Sequence, residues 1–236
     1  FLIGDVRDKA RLSRSFKNMD YIIHAAATKI VPTAESDPIE CIKTNINGAI
    51  NVVDCAIDCG VEKVIALSTD KASSPCNLYG GTKLVSDKLF IASNAYTSYS
   101  TTKFSVVRYG NVMGSRGSVL PLFMDQKEHG EVTITDERMT RFMITLEQGV
   151  ELVLTALSDP AFGNIYVKKI PSMNIVDIAE TVAPLAKKKI IGIRAGEKLH
   201  EQMIGAEDAN FTYDCGEHYV IVPGNFDWYD KALYAP

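Results

Sequence analysis

The sequence predicts an α/β fold, a doubly wound parallel sheet with helices on both faces, followed by a smaller mixed α/β lobe. Three observations carry this. Apolar runs of strand length alternate with stretches of helical periodicity from Tyr21 to Tyr109. Two of those runs end in small or polar residues, His24-Ala25-Ala26-Ala27 and Ser68-Thr69-Asp70-Lys71, as strands do where a sheet meets a ligand crevice. The rhythm then breaks after Gly110, where Gly114, Gly117 and Pro121 punctuate shorter elements. Strand–helix alternation implies parallel pairing, because a parallel partner can be reached only through a long crossover.

Taken in order, Phe1 to Val6 reads as an apolar strand ending in Gly4-Asp5, and Asp8 can cap a short helix to about Phe16. Tyr21 to His24 reads as a buried strand. Asp37-Pro38 supplies a cap and a proline at the first helical position. Apolar residues at Ile42, Ile46, Ala49, Val53 and Ala56 then keep helical spacing until Gly60. A strand from Lys63 to Ser68, a helix from about Leu78 to about Tyr96 and a strand from Phe104 to Tyr109 complete a core over residues 1–111. In the lobe over 112–236, some of whose elements are expected to return to the core, Val119 to His129 reads as a helix and Val132 to Ile134 as a strand. Thr145 and Gln148 form a capping-box pattern ahead of a helix to about Leu157. Strands at Ile165 to Val167, Ile190 to Ile193 and Tyr219 to Val222, and a helix capped by Asn174 and reaching about Leu185, follow.

Composition narrows the function classes. A chain of 236 residues, 46% hydrophobic, can bury a real core. A net charge of -4 leaves no basic excess for a nucleic-acid backbone, and Lys187 to Lys189 reads as a solvated lead-in to a strand. No apolar run reaches the ~18 residues a membrane span needs, and no signal-peptide pattern opens the chain, so a cytoplasmic location is expected. Five cysteines without Cys-x-x-Cys spacing point to reduced thiols, and no histidine cluster suggests a metal. Phe1 is not an initiator methionine and no G-x-G-x-x-G is present, so the chain is expected to lack the first βαβ unit of its sheet.

The chemistry concentrates between Leu67 and Lys83, LSTDKASSPCNLYGGTK. Tyr79 and Lys83 lie one helical turn apart on one face, and an ammonium beside a phenol favours the phenolate, which would let Tyr79 act as a base far below its free pKa of about 10. Ten tyrosines in 236 residues give roughly one such match by chance, so the pair by itself also fits a surface i,i+4 contact. Thr69, Asp70 and Lys71 immediately before it set a hydroxyl and an acid–base pair at a strand end. In isolation, Asp70 and Lys71 also fit a solvated loop ion pair.

These residues, with GDVRD (Gly4 to Asp8), HAAATKIVPTAESDPIECIKTNINGA (His24 to Ala49), SVVRYGNVMGSRGSV (Ser105 to Val119), ITDERMTRFMIT (Ile134 to Thr145) and IIGIRAGEKLHEQMI (Ile190 to Ile204), resemble the extended short-chain dehydrogenase/reductase superfamily. Within it they resemble the C5-inverting UDP-N-acetylglucosamine 4,6-dehydratases of pseudaminic acid synthesis. The resemblance covers nearly the whole chain. It implies a Rossmann-like sheet, an NADP cofactor, a UDP-sugar substrate and a homo-oligomer such as a hexamer. Simple 4-epimerases of the superfamily usually lack the acid–base pair, C5-retaining dehydratases typically carry Asp-Glu, and membrane-anchored relatives carry Met at the position of Tyr79.

Carried residue by residue, the resemblance implies that Tyr79, with Lys83, deprotonates the sugar 4-hydroxyl, that Thr69 hydrogen-bonds that oxygen, that Lys71 removes the C5 proton and that Asp70 assists loss of the 6-hydroxyl. Asp5, Val6, Ala25, Ala26, Ala27, Tyr109, Asn111 and Val112, with Tyr79 and Lys83, would contact the cofactor. Lys29, Asn111, Arg116, Arg141, Arg194 and Glu197 would contact the UDP-sugar, arginine suiting phosphate through its planar fork. Asp5 can instead start a turn, the alanines can be packing, and each cation can be an ordinary surface residue. His24 reads as a satisfied core histidine and His200 as structural. A 4-epimerase and a non-catalytic dinucleotide-binding regulator are the competing readings.

Overall fold

The structure, a computed structural model, describes residues 1–98, 101–224 and Tyr229. Helix α1 (Lys9–Ser15) opens at Asp8, whose carboxylate accepts the Arg11 backbone N–H, and strand β1 (Tyr21–His24) follows. Helices α2 (Val31–Ser36) and α3 (Pro38–Ile42) pass through a π-helical turn at Lys43–Asn47 into α4 (Gly48–Asp58), beyond which Gly60 takes a φ of +68°. Strand β2 (Lys63–Thr69) runs into a 3-10 turn at Asp70–Ala72, then α5 (Leu78–Ala92) and β3 (Lys103–Tyr109).

The second half carries β4 (Asn111–Val112), α6 (Val119–Lys127), β5 (Glu131–Ile134), β6 (Thr140–Ile144) and α7 (Leu146–Ser158). It continues with β7 (Ile165–Lys168), β8 (Ser172–Asn174), α8 (Ile175–Val182), β9 (Lys187–Ile190), α9 (Ala206–Ala209), β10 (Thr212–Asp214) and β11 (His218–Ile221). The capping box at α7 forms as read from sequence, with Thr145 and Gln148 each accepting the other's backbone N–H.

The main sheet has the order β1-β2-β3-β7-β11-β10. Strands β1, β2, β3 and β7 run parallel, while β11 pairs antiparallel with β7 and β10 with β11. Neighbouring residues of a strand face opposite ways, so β2 and β3 feed two cores. Val64, Ala66, Phe104 and Val106 meet Val52, Val53, Ala56 and Phe90 of α4 and α5. Ile65 and Val107 point the other way, onto Leu152, Val153 and Ala156 of α7. Two covered faces explain why these strands read as continuous apolar runs. A separate core, with Phe123, Val132, Ile134, Ile175 and Ile178, unites α6, β5 and α8.

Several expectations are corrected. Phe1 to Val6 forms no strand, and Phe1, Leu2 and Ile3 stand exposed, because a strand needs a hydrogen-bonding neighbour and this segment has none among the described residues. β1 is not buried: Tyr21 and Ile23 are half exposed, since β1 is the last strand of the described sheet. Lys187 to Lys189 are strand β9 itself, paired with β5, rather than a lead-in to a strand at Ile190 to Ile193. Helix α8 stops at Val182 because Pro184 disfavours helical backbone in the residue before it, leaving Leu185 exposed. Strands β4, β6, β8 and β10 and helix α2 have no counterpart in the sequence reading.

Candidate active site

A cleft of about 530 Å³ opens where β2 and β3 end, with the second lobe as its other wall. Its floor comes from the turn after β2. Thr69 caps the 3-10 turn, donates its hydroxyl to Asp70 Oδ1 at 2.9 Å and receives the Lys71 backbone N–H at 3.4 Å. Lys71 Nζ reaches the same Asp70 Oδ1 at 3.0 Å. One carboxylate oxygen thus orients both the hydroxyl and the amine, while Asp70 is itself fully buried and its Oδ2 has no hydrogen-bond partner among the described residues.

Helix α5 delivers Tyr79 and Lys83. Asn77 caps it by accepting the Gly80 N–H at 2.8 Å, and Glu35 of α2 accepts the Leu78 N–H at 2.7 Å. The helix start lies hard against the Asp70–Ala72 turn: a Cβ on Gly80 would stand 2.3 Å from the Lys71 carbonyl oxygen, which is why the motif carries glycine there. Tyr79 and Lys83 are 9% and 3% exposed, both at the cleft surface.

Burial reverses the expected effect of this pair. The Tyr79 phenol is pushed well above its ordinary value, chiefly by desolvation and further by Asp70 and Asp87, with a hydrogen bond to Thr69 only partly opposing. Burial pushes Lys83 the other way, towards the neutral amine, against the pull of Asp87. Removing either group from water penalises its charged form, so the unliganded cleft holds Tyr79 protonated rather than as a phenolate.

Behind the pair lies a buried polar layer that the sequence reading did not single out. Asp87 accepts the Ser68 hydroxyl at 2.7 Å and an Arg108 N–H at 3.4 Å, and Arg108, 1% exposed, also donates to the Met203 carbonyl and Asp208. Asn45, on the π-helical turn, bonds the Thr28 backbone in both directions and donates to Thr82, tying the loop after β1 to α5. Glu201, 7% exposed, brings a second carboxylate to 3.8 Å from Lys71 Nζ. A polar residue inside an apolar helical pattern was the available signal for Asn45 and for Asp87; Glu201 gives no such signal, because the loop holding it has no periodicity.

The remaining predicted residues divide. Ala25, Ala27, Lys29, Tyr109, Asn111, Val112, Arg116, Arg141, Arg194 and Glu197 all line the cleft with Thr69, Lys71, Tyr79 and Lys83. Asp5, Val6, Ala26 and Asp70 do not. Asp5 accepts the Arg7 backbone N–H and pairs with the Arg7 guanidinium while its carbonyl closes a turn to Asp8, and Val6 packs against the first core. Arg141 Nη1 is held by the Thr140 and Leu199 carbonyls, and Glu197 accepts the Arg194 backbone N–H. His200 Nδ1 meets the Thr140 hydroxyl at 2.8 Å.

His24 is buried but not satisfied. Its Nε2 has no partner among the described residues, its ring packs on Phe90, and burial with the nearby Lys83 charge pushes its pKa down to about 3. The cleft fits the nicotinamide–ribose end of a dinucleotide: Lys83 is a buried donor with no hydrogen bond among the described residues, and the short Ala25 and Ala27 side chains leave the backbone approachable. Among the described residues no group of acidic, histidine or cysteine side chains is gathered to hold a metal, and no helix is long and apolar enough to cross a membrane.

Comparison with known proteins places these features in a family. The family described as "Polysaccharide biosynthesis protein" matches residues 1–223. A relative named UDP-N-acetylglucosamine 4,6-dehydratase (inverting), from Campylobacter jejuni serotype O:2, is 56% identical over 94% of this chain and 67% of its own length. A protein of Rickettsia canadensis named UDP-glucose 4-epimerase is 45% identical over 94% of this chain and 66% of its own. The X-ray structure of Pen from Bacillus thuringiensis superposes with a TM-score of 0.90 at 37% identity, covering 94% of this chain and 72% of that one. The chain thus spans about two thirds of the length of these curated relatives. With the family pattern running from residue 1 to 223 and a closely superposing Rossmann-like fold, the chain belongs to the polysaccharide biosynthesis protein family.

Proposed function

We propose that this chain carries the redox and elimination residues of a nucleotide-sugar 4,6-dehydratase, acting on UDP-N-acetylglucosamine with inversion at C5 to give UDP-2-acetamido-2,6-dideoxy-β-L-arabino-hex-4-ulose. The observation that carries it is the shared cleft floor, where Thr69 and Lys71, both oriented by Asp70, adjoin Tyr79 and Lys83. The 56% identical relative carries the corresponding name. Residues 1–111 serve as the cofactor-binding core and 112–236 mainly as the substrate lobe. The protein works as a cytoplasmic homo-oligomer.

A bound nicotinamide dinucleotide, NADP in this reading, supplies the hydride acceptor and donor that side chains cannot. Tyr79, protonated at rest, passes its proton towards Lys83 one helical turn away, whose amine burial biases towards the neutral form, and then takes the proton of the sugar 4-hydroxyl. Thr69 donates to that oxygen. Oxidation at C4 acidifies the C5 proton, which Lys71 removes. Asp70, which holds Lys71 Nζ at 3.0 Å, assists transfer of the proton taken by Lys71 to the departing 6-hydroxyl, which leaves as water. Return of the hydride to C6 and protonation of C5 from solvent on the opposite face would complete the reaction: C4 is oxidised, C6 is reduced, C5 is inverted, and the net change is loss of one water. Lys29 from the core and Arg116, Arg141 and Arg194 from the second lobe give the cleft the cations a diphosphate requires.

The test is the full-length protein with UDP-N-acetylglucosamine in heavy water, followed by NMR. A 4-keto-6-deoxy sugar of L-arabino configuration with deuterium at C5 is expected. A C4 epimer without loss of water would establish the epimerase reading, which the Rickettsia relative favours, and cofactor binding without turnover would establish the binding module. Lys71→Ala should abolish C5 exchange while cofactor binding persists; exchange at the unmodified rate would remove Lys71 from the mechanism.

A further inference from the structure

Glu201 sits in the loop between Leu199 and Met203, its side chain only 3% exposed, yet it lines the cleft. A carboxylate taken out of water needs compensating charge. Oε1 lies 3.8 Å from Lys71 Nζ and Oε2 lies 3.6 Å from Lys198 Nζ, while Oε2 makes no hydrogen bond among the described residues. Its interactions are therefore ion pairs with two lysines, one of them the amine assigned to C5.

The loop is also strapped to the catalytic turn at separate points. Lys198 Nζ donates to the Ser73 carbonyl at 2.7 Å, and Asn77 Nδ2 donates to the Gly196 carbonyl at 2.7 Å. These bonds fix how far Glu201 stands from Lys71. Arg194 and Glu197, on the same segment, line the cleft as well.

We infer that Glu201 is the positioning residue for Lys71, holding the two N–H groups of its neutral amine between two carboxylates so that the nitrogen lone pair faces the sugar C5 proton; this rests on the dehydratase reading of Lys71. A lysine side chain has a flexible four-carbon stem and three donor positions. Asp70, the adjacent residue, takes one direction at 3.0 Å and is already shared with Thr69. Glu201 sets the second from a distant part of the chain. With two directions occupied, the third points to the cleft, where Lys71 is 21% exposed. Among the described residues the ion-pair partners of Lys71 are Asp70 from its own turn and Glu201 from the strapped loop, and Lys198 pairs with the same Glu201.

The experiment uses the full-length protein as wild type, Glu201→Gln and Glu201→Asp. Two readouts are taken: steady-state dehydration of UDP-N-acetylglucosamine, and the pH dependence of Lys71 acetylation by acetic anhydride, read by peptide mass spectrometry. Glu201→Gln should lower kcat about 100-fold with KM within about threefold, and move the Lys71 labelling midpoint down by about one pH unit, since removing a neighbouring carboxylate disfavours the ammonium. Glu201→Asp should recover kcat to within about tenfold of wild type. An unchanged kcat, or a reduced kcat with an unmoved labelling midpoint, overturns the assignment. If wild type fails to dehydrate the sugar while the midpoint still moves in Glu201→Gln, the dehydratase reading falls and the coupling of Glu201 to Lys71 stands.

Discussion

Acidification should unfold this protein through His24. The ring is 4% exposed at the end of β1, lies 5.4 Å from Phe90 between ring centroids and has an unpartnered Nε2. Burial first, and the Lys83 charge second, lower its pKa from 6.5 to about 3. The unfolded chain therefore binds the proton more tightly, so the stabilisation is complete above pH 6.5 and is lost as pH falls towards 3. At pH 5 the unfolded state gains about 2 kcal/mol from this one group, rising to about 5 kcal/mol below pH 3. Urea denaturation of the full-length protein at pH 8 and pH 5, compared between wild type and His24→Phe, isolates that contribution, because every other titrating group is common to both. Wild type should lose about 2 kcal/mol more than the variant between the two pH values. A difference of less than about 0.5 kcal/mol would show that His24 titrates as if exposed and would refute the reasoning.

Gly80→Ala places a methyl 2.3 Å from the Lys71 carbonyl, so the catalytic turn or α5 must shift. A loss of about 1–3 kcal/mol in thermal unfolding is expected, with a kcat reduction of at least about tenfold at nearly unchanged KM; unchanged activity would show that the close approach is not needed. Arg108→Met strands Asp87 in the interior, where it keeps only the Ser68 hydrogen bond and the field of Lys83, and should cost about 3–5 kcal/mol in urea denaturation. Adding Asp87→Leu should recover most of it, and a double variant as unstable as the single would assign the loss to packing instead.

The central elements were legible because local pattern and burial agree. Strands β2 and β3, covered on both faces, show unbroken apolar runs, and α7 announces itself through Thr145 and Gln148. The failures share a cause. Strands β4, β8 and β10 run only two or three residues, too short for any period to register. Phe1 to Val6 has the composition of a strand without a described partner, and composition cannot supply a hydrogen-bonding neighbour.

The residues around the cleft divide along the same line. Thr69, Asp70, Lys71, Tyr79 and Lys83 are close in sequence, so one turn and one helix suffice to gather them, and their types at a strand end together with the family resemblance suggested the chemistry. The direction in which Tyr79 and Lys83 are biased could not be read that way, because desolvation depends on what the rest of the chain lays over them, and it outweighs the mutual attraction of the pair. Glu201 reached Lys71 only by packing a loop of the second lobe against the turn after β2, and Arg108 reached Asp87 only because α5 packs on β3; no local periodicity encodes either contact.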